Sequence, residues 1–346
     1  MDLLFVNHRD IYHPHAGGAE EVLFHVTTRL SKTNEVTWLT ERVKGRSDEE
    51  EIDGVRVLRR GTRISLHLLS LLEARRHEVV VDSVAHAVPF FSYLVNERSV
   101  ALVHHVHQDV LKFEVDPITR LAISSLEKNL KNYSHVIAVS HATKRDLVKK
   151  IKVEEDKIKV IHNGVDHVKY RPGKKSSSPL VLWVGRMKRY KNPLDSVEIF
   201  KRLNKKAEMV VVGEGDLENE FRRAAEPLGV KYLGRVSEQK KIELYQRAWV
   251  VLSTSFIEGW GMTIVEANAC GTPALAYNVG SMPEIIKEGK NGFLIDYKDY
   301  VKASKTLEYM LEEDVMLSLS KSSLEESMNY DWDRTANEYE TYLRSI

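Results

Sequence analysis

A basic segment follows one apolar run in the second half of the sequence. Four basic residues, Arg186 and Lys191 among them, lie within residues 185–193, directly after the strand-like run Leu180–Val184 and before a helical pattern. Arginine can donate two parallel hydrogen bonds to a phosphate, and lysine adds a point charge. A helix N-terminus behind such a loop favours an anion further. The pattern predicts a phosphate site, with a solvated basic loop as the alternative.

Two carboxylates flank a glycine-rich turn further along the chain. Glu258 and Glu266 lie on either side of Gly261, after the strand-like run Val250–Leu252. Glycines let backbone amides approach a ligand closely, and we expect a helix to begin near Gly261. Along a helix the two carboxylates would be about 12 Å apart, which suits the hexose and ribose of a sugar nucleotide. The alternative is a helix-start Glu258 with an exposed Glu266.

The first half offers three weaker signals. Gly17 and Gly18 separate the first strand from the first helix, where they permit close approach to a phosphate or simply form a tight turn. They do not form the three-glycine dinucleotide fingerprint, which disfavours a nicotinamide dehydrogenase. His107 ends the run from His104 and is interpreted as a pocket histidine, a metal ligand or a structural group. Asn163, which precedes a glycine, marks a turn or a hinge.

Histidine usage separates the halves, because all 14 histidines lie between His8 and His167. This is either drift or a sign that the first half supplies acid–base or acceptor chemistry. His104 and His105 are adjacent on a strand and point to opposite faces, so they do not readily share one metal ion. No metal site is therefore predicted.

Short apolar runs alternate with helical patterns over the whole length, which indicates an α/β fold with parallel sheets covered on both faces. The expected strands are Asp2–Val6, Glu35–Leu39, Val55–Leu58, Val79–Asp82, Val100–Val103, His135–Val139, Leu180–Val184, Met209–Val212, Lys231–Leu233, Val250–Leu252, Pro273–Ala276 and Gly292–Ile295. Among the helical stretches are Glu20–Leu30 and Thr119–Asn132.

The alternation breaks once, at a segment rich in proline, glycine, serine and lysine. We predict a first domain over residues 1–171, a linker over 172–179 and a second domain over 180–330. A polar helix with few core residues within 331–346 would cross back to the first domain. Two Rossmann-like halves on one hinge would face each other across a deep ligand cleft.

Composition sets limits on the function. The net charge is +1, so nothing in the overall balance indicates a nucleic-acid partner. The single cysteine, Cys270, excludes an internal disulfide and is expected to be a buried apolar group. With no signal peptide evident and no apolar run of about 20 residues, we expect a cytoplasmic protein.

Taken together, these segments resemble the family 4 retaining glycosyltransferases, which have the GT-B fold. The resemblance covers nearly the whole chain, and the matching pieces occur in the order of the family. They are Gly17-Gly18-Ala19-Glu20, His107, Val139-Ser140, Asn163-Gly164-Val165-Asp166, Gly185-Arg186 with Lys191-Asn192, Gly213-Glu214-Gly215, Glu258 to Glu266, and Gly271-Thr272-Pro273.

The resemblance implies a role for each matching position. Arg186 and Lys191 would hold and neutralise the leaving diphosphate, with further amide donors near Gly261 and Met262. The remaining roles cover the rest of the donor and the acceptor: Glu258 and His107 at the transferred sugar, Glu266 at the ribose, Gly17 and Gly18 near the diphosphate, Arg235 near the base, and Ser140 and Asn163 on the acceptor side.

The implied reaction moves a hexosyl group, with retention, from a nucleoside-diphosphate sugar to a hydroxyl of a glycan, lipid-linked or small-molecule acceptor. The departing phosphate oxygen would assist removal of the acceptor proton, and no cofactor or metal would be required. Trp260 and Met262 depart from the usual residues of the family, which leaves the identity of the donor open. The alternatives are a nucleotide-sugar epimerase of the same fold and a non-catalytic nucleotide-sugar-binding protein.

One segment suggests a contact outside the site. Residues 59–76 are basic at both ends and leucine-rich between. This pattern suits a core helix with solvated ends, or a helix that gives weak peripheral contact with an anionic membrane.

Overall fold

The computed structural model describes residues 1–346, which form two compact units. The first unit comprises Met1–Gly164 and Trp332–Ile346, and the second comprises Val165–Asp331. The division falls at Gly164, before the basic and serine-rich segment from which the sequence places a linker. The C-terminal residues belong to the first unit, although the second unit separates them from it in the sequence.

The first unit is built on an eight-stranded sheet with the order β3-β4-β2-β1-β5-β6-β7-β8. The strands are β1 Asp2–Val6, β2 Glu35–Thr40, β3 Glu49–Ile52, β4 Val55–Arg59, β5 Val79–Val84, β6 Ser99–Val103, β7 His135–Ala138 and β8 Ile158–Val160. All neighbours are parallel except β3, which is antiparallel to β4. The central strands β1, β5 and β6 are buried along nearly their whole length, which is why they read as continuous apolar runs.

The helices of the first unit are α1 Gly18–Leu30, α2 Leu66–Ala74, α3 Leu111–Glu114, α4 Pro117–Glu127, α5 His141–Asp146 and, at the C-terminus, α13 Trp332–Ser345. The chain moves from β1 to β2 in one direction along the sheet, and from β4 onward to β5, β6 and β7 in the other. Right-handed crossovers therefore place α1 on one face, and α2 and α4 on the opposite face.

The C-terminal helix α13 contradicts the expectation of few core residues. It buries Trp332, Ala336, Tyr339 and Leu343, which share one helical face. It packs on α1, where the Trp332 indole stacks on the His25 ring at 4.7 Å between centroids. Because the other faces of the helix are polar, this buried apolar face was not recognised from the overall composition of the segment.

The second unit is built on a six-stranded parallel sheet with the order β11-β10-β9-β12-β13-β14. The strands are β9 Leu180–Val184, β10 Glu208–Val212, β11 Lys231–Tyr232, β12 Val250–Ser253, β13 Ala274–Tyr277 and β14 Gly292–Ile295. The helices are α6 Pro193–Phe200, α7 Glu218–Ala225, α8 Glu238–Arg247, α9 Met262–Ala269, α10 Met282–Ile285, α11 Tyr300–Met310 and α12 Glu313–Ser327. The predicted α/β class with two Rossmann-like parallel sheets is confirmed.

Two edge strands, β3 and β8, are additional to the strands expected from the sequence. β3 consists of three glutamates and Ile52, so it carries no apolar run, and it is held to β4 by pairs such as Glu49 with Arg56 at 2.6 Å. β8 is only three residues long, at the opposite edge. Edge strands are short and charged in many sheets, which removes the hydrophobic signal that identifies central strands.

Residues 172–179 do not form a free linker. Lys175 Nζ donates to the carbonyl oxygen of Ala248 at 2.8 Å and to the Thr272 hydroxyl at 2.5 Å. The Ser176 carbonyl accepts a hydrogen bond from the Trp249 indole at 2.9 Å. The segment is therefore fastened along the second unit, although its composition is that of a flexible connection.

No helix in either unit combines the length and the apolar character that crossing a bilayer requires.

Candidate functional site

The order of the strands locates a ligand crevice in the second unit. From β9 the chain proceeds to β10 and β11 on one side, and then to β12, β13 and β14 on the other. The loops that leave β9 and β12 therefore diverge at their carboxyl ends, which is where open α/β sheets bind ligands. Arg186 and Lys191 follow β9, whereas Glu258 and Gly261 follow β12.

One threonine bonds to two successive carbonyl oxygens in the backbone of the basic loop. The hydroxyl of Thr254, just after β12, lies 3.0 Å from the carbonyl oxygen of Lys191 and 2.8 Å from that of Asn192. The same hydroxyl accepts a hydrogen bond from the Trp183 indole at 3.0 Å. Asn192 has a φ of 45° and immediately precedes α6, so the loop turns sharply into a helix. These contacts hold Lys191 beside the segment that carries Glu258.

Lys191 and Glu258 form an ion pair, and their side chains are only 19% and 13% exposed. The pair uses Oε1 of Glu258, which also accepts a hydrogen bond from the Ser255 hydroxyl at 2.8 Å. The other carboxylate oxygen, Oε2, makes no hydrogen bond or ion pair. An ammonium carries three donors, so Lys191 can keep this pair and still donate to a phosphate. The Glu258 carboxylate is therefore held in place through Oε1, and its Oε2 is available to accept a hydrogen bond.

Glu266 repeats this arrangement on α9. Its Oε2 accepts a hydrogen bond from the Tyr245 hydroxyl at 3.0 Å and lies 3.1 Å from Lys241 Nζ, while Oε1 makes no such contact. Burial, with Glu266 beside it, holds the pKa of Tyr245 well above its ordinary value, so the phenol remains a donor. Each carboxylate therefore has one fixed oxygen and one available for a hydroxyl.

The expected separation of about 12 Å along one helix between Glu258 and Glu266 is wrong. Glu258 lies in the loop before α9, which begins at Met262, so the rise of a helix does not set its separation from Glu266. The predicted helix start near Gly261 is confirmed. At the start of α9, the Ile264 and Val265 amides donate to the Gly261 carbonyl oxygen at 2.9 and 3.4 Å, whereas the Met262 and Thr263 amides have no preceding turn to supply acceptors.

Two glycines shape this turn. Gly261 caps α9 with a φ of 97°, where an added Cβ would lie 2.3 Å from Met282 Cε. Gly280 has a φ of 54°, and its Cβ would lie 2.3 Å from the carbonyl oxygen of Glu258. Both positions combine a left-handed backbone with close approach, so only glycine fits without displacing Glu258 or the helix start.

The predicted cations differ in their surroundings. Arg186 is exposed, and its guanidinium makes no ion pair or hydrogen bond. A free guanidinium at the end of a central strand is available to an anionic ligand. Arg235, in the loop after β11, is exposed and lies 3.5 Å from Glu214.

In the first unit the equivalent change of direction lies between β1 and β5. Gly17 caps α1 and Gly18 is its first residue, and both are exposed after β1. The amide of Gly17 donates to Oε2 of Glu20 at 2.7 Å, and the Asn7 side chain donates to Oε1 at 2.8 Å. The Gly17 amide is thus occupied by Glu20, while the two exposed glycines carry no side chain that would cover the helix start at the edge of the sheet where ligands bind.

His107 is held entirely by its own unit. It is 5% exposed, and its Nδ1 lies 3.2 Å from Oε1 of the buried Glu127, which also accepts from the His107 amide at 2.6 Å. Its Nε2 lies 3.1 Å from the carbonyl oxygen of Ala85. Both ring nitrogens face protein acceptors, so the predicted contact with a sugar requires one of these bonds to be exchanged.

The two predicted acceptor-side residues are also buried. The Ser140 hydroxyl caps α5 by accepting from the Thr143 amide at 3.0 Å, which gives it a structural role instead of an exposed position for binding an acceptor. Asn163 is 3% exposed, and its Oδ1 has no hydrogen-bond partner. A buried amide oxygen without a partner is rare and marks a place for a water or a ligand group.

The histidine-rich first half forms a ring cluster that single motifs did not reveal. His8 follows β1 and His86 follows β5, with centroids 5.3 Å apart, and His67 of α2 lies 5.2 Å from His8. Burial lowers the pKa of His8 to about 3 and that of His86 to about 2, with neighbouring positive groups adding to the effect. These rings are neutral near pH 7, so they can bind hydroxyls but are not poised to exchange protons.

The residues that fix the carboxylates were missed by the sequence analysis. Ser255 begins the glycine-rich segment but was given no role, and Tyr245 and Lys241 carry no motif and lie on α8, well separated from Glu266 in the sequence. Cys270 is buried as expected, and burial raises the pKa of its thiol to about 12, so it is not a nucleophile.

Two family models match the chain in succession. Glycosyltransferase Family 4 matches residues 16–169, and Glycosyl transferases group 1 matches residues 166–327. Among curated proteins, D-inositol 3-phosphate glycosyltransferase of Corynebacterium efficiens is 27% identical over 240 residues, which are 61% of this chain and 57% of that protein. The chain spans about half the length of the curated relatives it matches.

Solved structures share the fold over the full length. Sucrose-phosphate synthase from Thermosynechococcus elongatus has a TM-score of 0.83 at 18% identity, covering 99% of this chain and 98% of that one. HepE from Anabaena, solved in complex with UDP-glucose, has a TM-score of 0.80 at 19% identity and 99% coverage of both chains. These structures show that the chain has the GT-B fold, and the two family models, which together span residues 16–327, show that it belongs to the group 1, family 4 glycosyltransferases.

Proposed function

We propose that the protein transfers a hexosyl group from a nucleoside-diphosphate sugar to a hydroxyl acceptor, with its second unit holding the donor. The observation that carries this proposal is the paired design of Glu258 and Glu266. Each carboxylate has one oxygen fixed by two donors and the other open, as a site for sugar hydroxyls requires. The open guanidinium of Arg186 and the ammonium of Lys191 lie in the adjacent loop.

The chemistry follows from this charge arrangement. Breaking the anomeric bond leaves additional negative charge on the diphosphate, and fixed cations aimed at that charge lower the barrier most. Arg186, Lys191 and the amides at the start of α9 would supply this stabilisation, with Arg235 near the base. We propose that the anomeric configuration is retained, that the departing phosphate assists removal of the acceptor proton, and that no metal is required.

Binding of the donor is tested first. We expect UDP, GDP or ADP, or the corresponding sugar, to raise the melting temperature of the full chain. UDP-glucose is the first probe, because HepE binds it. Activity is then measured as release of nucleoside diphosphate that depends on the acceptor, in buffer with and without EDTA. Proton NMR of the product reports the anomeric configuration.

The residue assignments are tested in the same assays. Arg186→Ala and Lys191→Ala should each reduce turnover by orders of magnitude while the melting temperature is retained. The matched control is Arg189→Ala, since Arg189 is exposed in the same loop and its side chain also makes no ion pair or hydrogen bond. Normal turnover in both site variants would refute the assignment.

Two other functions of this fold give different results. An epimerase would convert the donor without an acceptor and would not release nucleoside diphosphate. A non-catalytic binding protein would bind the donor and leave it intact. The free guanidinium of Arg186 favours transfer over simple binding, because its charge is most useful when a phosphate departs.

For the location of the protein we propose the cytoplasm, with weak peripheral contact between residues 59–76 and a membrane. Cys270 is the single cysteine and has no internal disulfide partner, which fits a reducing compartment. The exposed Leu68 and Leu72 on α2 support the membrane contact, because the helix buries only Leu66, Ser70 and Ala74.

A further inference from the structure

Three histidine rings, which we call the histidine cluster, lie together beyond the central strands of the first unit. His8 follows β1, His86 follows β5 and His67 belongs to α2. The centroid of the His8 ring lies 5.2 Å from that of His67 and 5.3 Å from that of His86. The order of the strands changes direction between β1 and β5, and open α/β sheets bind ligands at such a point.

The hydrogen bonding of the histidine cluster is incomplete. The Nδ1 atoms of all three rings are fully buried and have no hydrogen-bond partner. The Nε2 atoms of His8 and His86 also make no hydrogen bond, and they are not fully buried. In contrast, both ring nitrogens of His107 face protein acceptors. Native proteins pair nearly all buried polar groups, so this concentration of free ring nitrogens indicates a place where a ligand makes hydrogen bonds.

The neutral rings can both accept and donate. His67 has a hydrogen bond with the backbone of Pro89, which offers only a carbonyl oxygen, so His67 donates through Nε2. Its Nδ1 therefore presents a lone pair. His8 and His86 can present either a lone pair or an N–H group to a ligand. Hydroxyl groups, which also donate and accept, match this set of nitrogens.

The charges around the cluster disfavour a cationic ligand. Burial is the main reason that the pKa of each ring is lowered, and the positive charge of Arg63 adds to the effect in all three. Arg9 acts in the same direction on His8 and His86. An ammonium group or a metal ion would be repelled by these arginines. The ring nitrogens also do not all lie within 4.8 Å of one another, as the ligands of one metal ion would.

The loop that carries His86 is held in a strained conformation. Ala87 and Phe91 have left-handed backbones, with φ of 68° and 63°. This conformation is unfavourable for a residue as bulky as Phe91, and strained residues cluster at ligand sites. The buried Asp82 accepts from the Ser92 amide at 3.0 Å and from the Tyr133 hydroxyl, which in turn accepts from the Phe91 amide at 3.0 Å. These contacts maintain the strained loop, which indicates that its shape serves a ligand.

The cluster adjoins His107, which the family resemblance places at the transferred sugar. His107 Nε2 lies 3.1 Å from the carbonyl oxygen of Ala85, the residue directly before His86. On its other side the cluster rests on the buried Phe90 ring, which stacks on His67 at 4.8 Å between centroids. A few polar groups on an aromatic support are typical of sites for small molecules.

We propose that His8, His67 and His86 form the acceptor subsite and bind the hydroxyls of an uncharged sugar ring through their free nitrogens. This inference rests on the proposed function, because it supplies the hydroxyl acceptor for the transfer. It also fills the role predicted for Ser140, whose hydroxyl instead caps α5. A sugar with a protonated amine in place of a hydroxyl would bind poorly, because the amine would meet neutral rings and the charge of Arg63.

The test is binding of monosaccharides to the full chain, followed by saturation-transfer difference NMR. The probes are glucose, galactose and mannose, each compared with its 2-amino counterpart, which is largely protonated at neutral pH. We expect at least one neutral sugar to bind, with its amino counterpart about tenfold weaker or not bound.

Histidine variants locate the binding. His86→Phe and His67→Phe, which keep an aromatic ring, should each weaken binding of the neutral sugar about tenfold. His86→Gln should recover part of the loss, because its amide can replace Nε2. The control is His135→Phe, since His135 begins β7 at the opposite end of the strands and contacts the Tyr342 ring.

Four outcomes would overturn the proposal. They are no binding of any neutral sugar, equal binding of the amino sugars, wild-type affinity in both phenylalanine variants, and stoichiometric Zn²⁺ binding in calorimetry that His86→Phe abolishes. Nucleoside diphosphate binding, measured by thermal shift, separates this proposal from the proposed function. Normal donor binding without sugar binding refutes the subsite alone, whereas sugar binding without any donor binding refutes the proposed function and, with it, the acceptor role of the cluster.

Discussion

The pairing of Lys191 with Glu258 makes a specific prediction about nucleoside diphosphate binding. Replacing Lys191 by alanine removes a charge-assisted donor to the diphosphate, worth about 1.5–3 kcal/mol. It also leaves the Glu258 carboxylate, 13% exposed, without its counter-ion beside an incoming anion. Repulsion between this carboxylate and the diphosphate adds about 1–2 kcal/mol to the loss of binding free energy, at the effective dielectric of a partly buried site.

The two contributions can be separated with a double variant. By isothermal titration calorimetry, Lys191→Ala should weaken nucleoside diphosphate binding about 100-fold or more. Lys191→Ala with Glu258→Gln should then recover about tenfold, because the neutral amide no longer repels the diphosphate. Lys188→Ala is the control, since Lys188 lies in the same loop but pairs with Asp216 at 2.6 Å.

Two results would refute this reasoning. In one, Lys191→Ala binds nucleoside diphosphate as tightly as the wild type does, so Lys191 does not contact the diphosphate. In the other, the double variant is no better than Lys191→Ala, so the carboxylate is not close enough to repel it.

Three further predictions concern the supports of the site and the buried histidines. Gly280→Ala should displace Glu258 and reduce kcat/KM, measured by nucleoside diphosphate release, more than tenfold. The melting temperature of the protein without donor should change less. Tyr245→Phe should raise the KM of the donor about tenfold with little change in kcat, since Glu266 loses one of its two anchors; an unchanged KM would contradict this role. His86, whose pKa burial lowers to about 2, is protonated more readily when unfolded, so stability should fall as pH drops below about 6.5. Urea unfolding at pH 7 and pH 5 should show a contribution of about 2 kcal/mol that His86→Gln removes, and an equal pH dependence in both proteins would argue against a neutral buried ring.

The sequence by itself determined the class of fold and most of its central elements. Strands such as Leu180–Val184 are buried on both faces, so they are uniformly apolar and can be identified without tertiary information. The residues of the proposed donor site could also be identified from short segments of the sequence. Arg186, Lys191, Glu258 and Gly261 each follow a strand end in a pattern that predicts phosphate and sugar binding.

Only the tertiary structure decided which groups hold those residues and which faces stay exposed. Ser255 and Tyr245 donate hydrogen bonds that hold the two carboxylates, and the composition of their own segments does not predict these bonds. In α4, Ile118 and Leu121 are exposed while Glu127 is buried, because a helical repeat fixes which residues share a face but not the direction in which that face points. That direction follows from the packing of the whole unit.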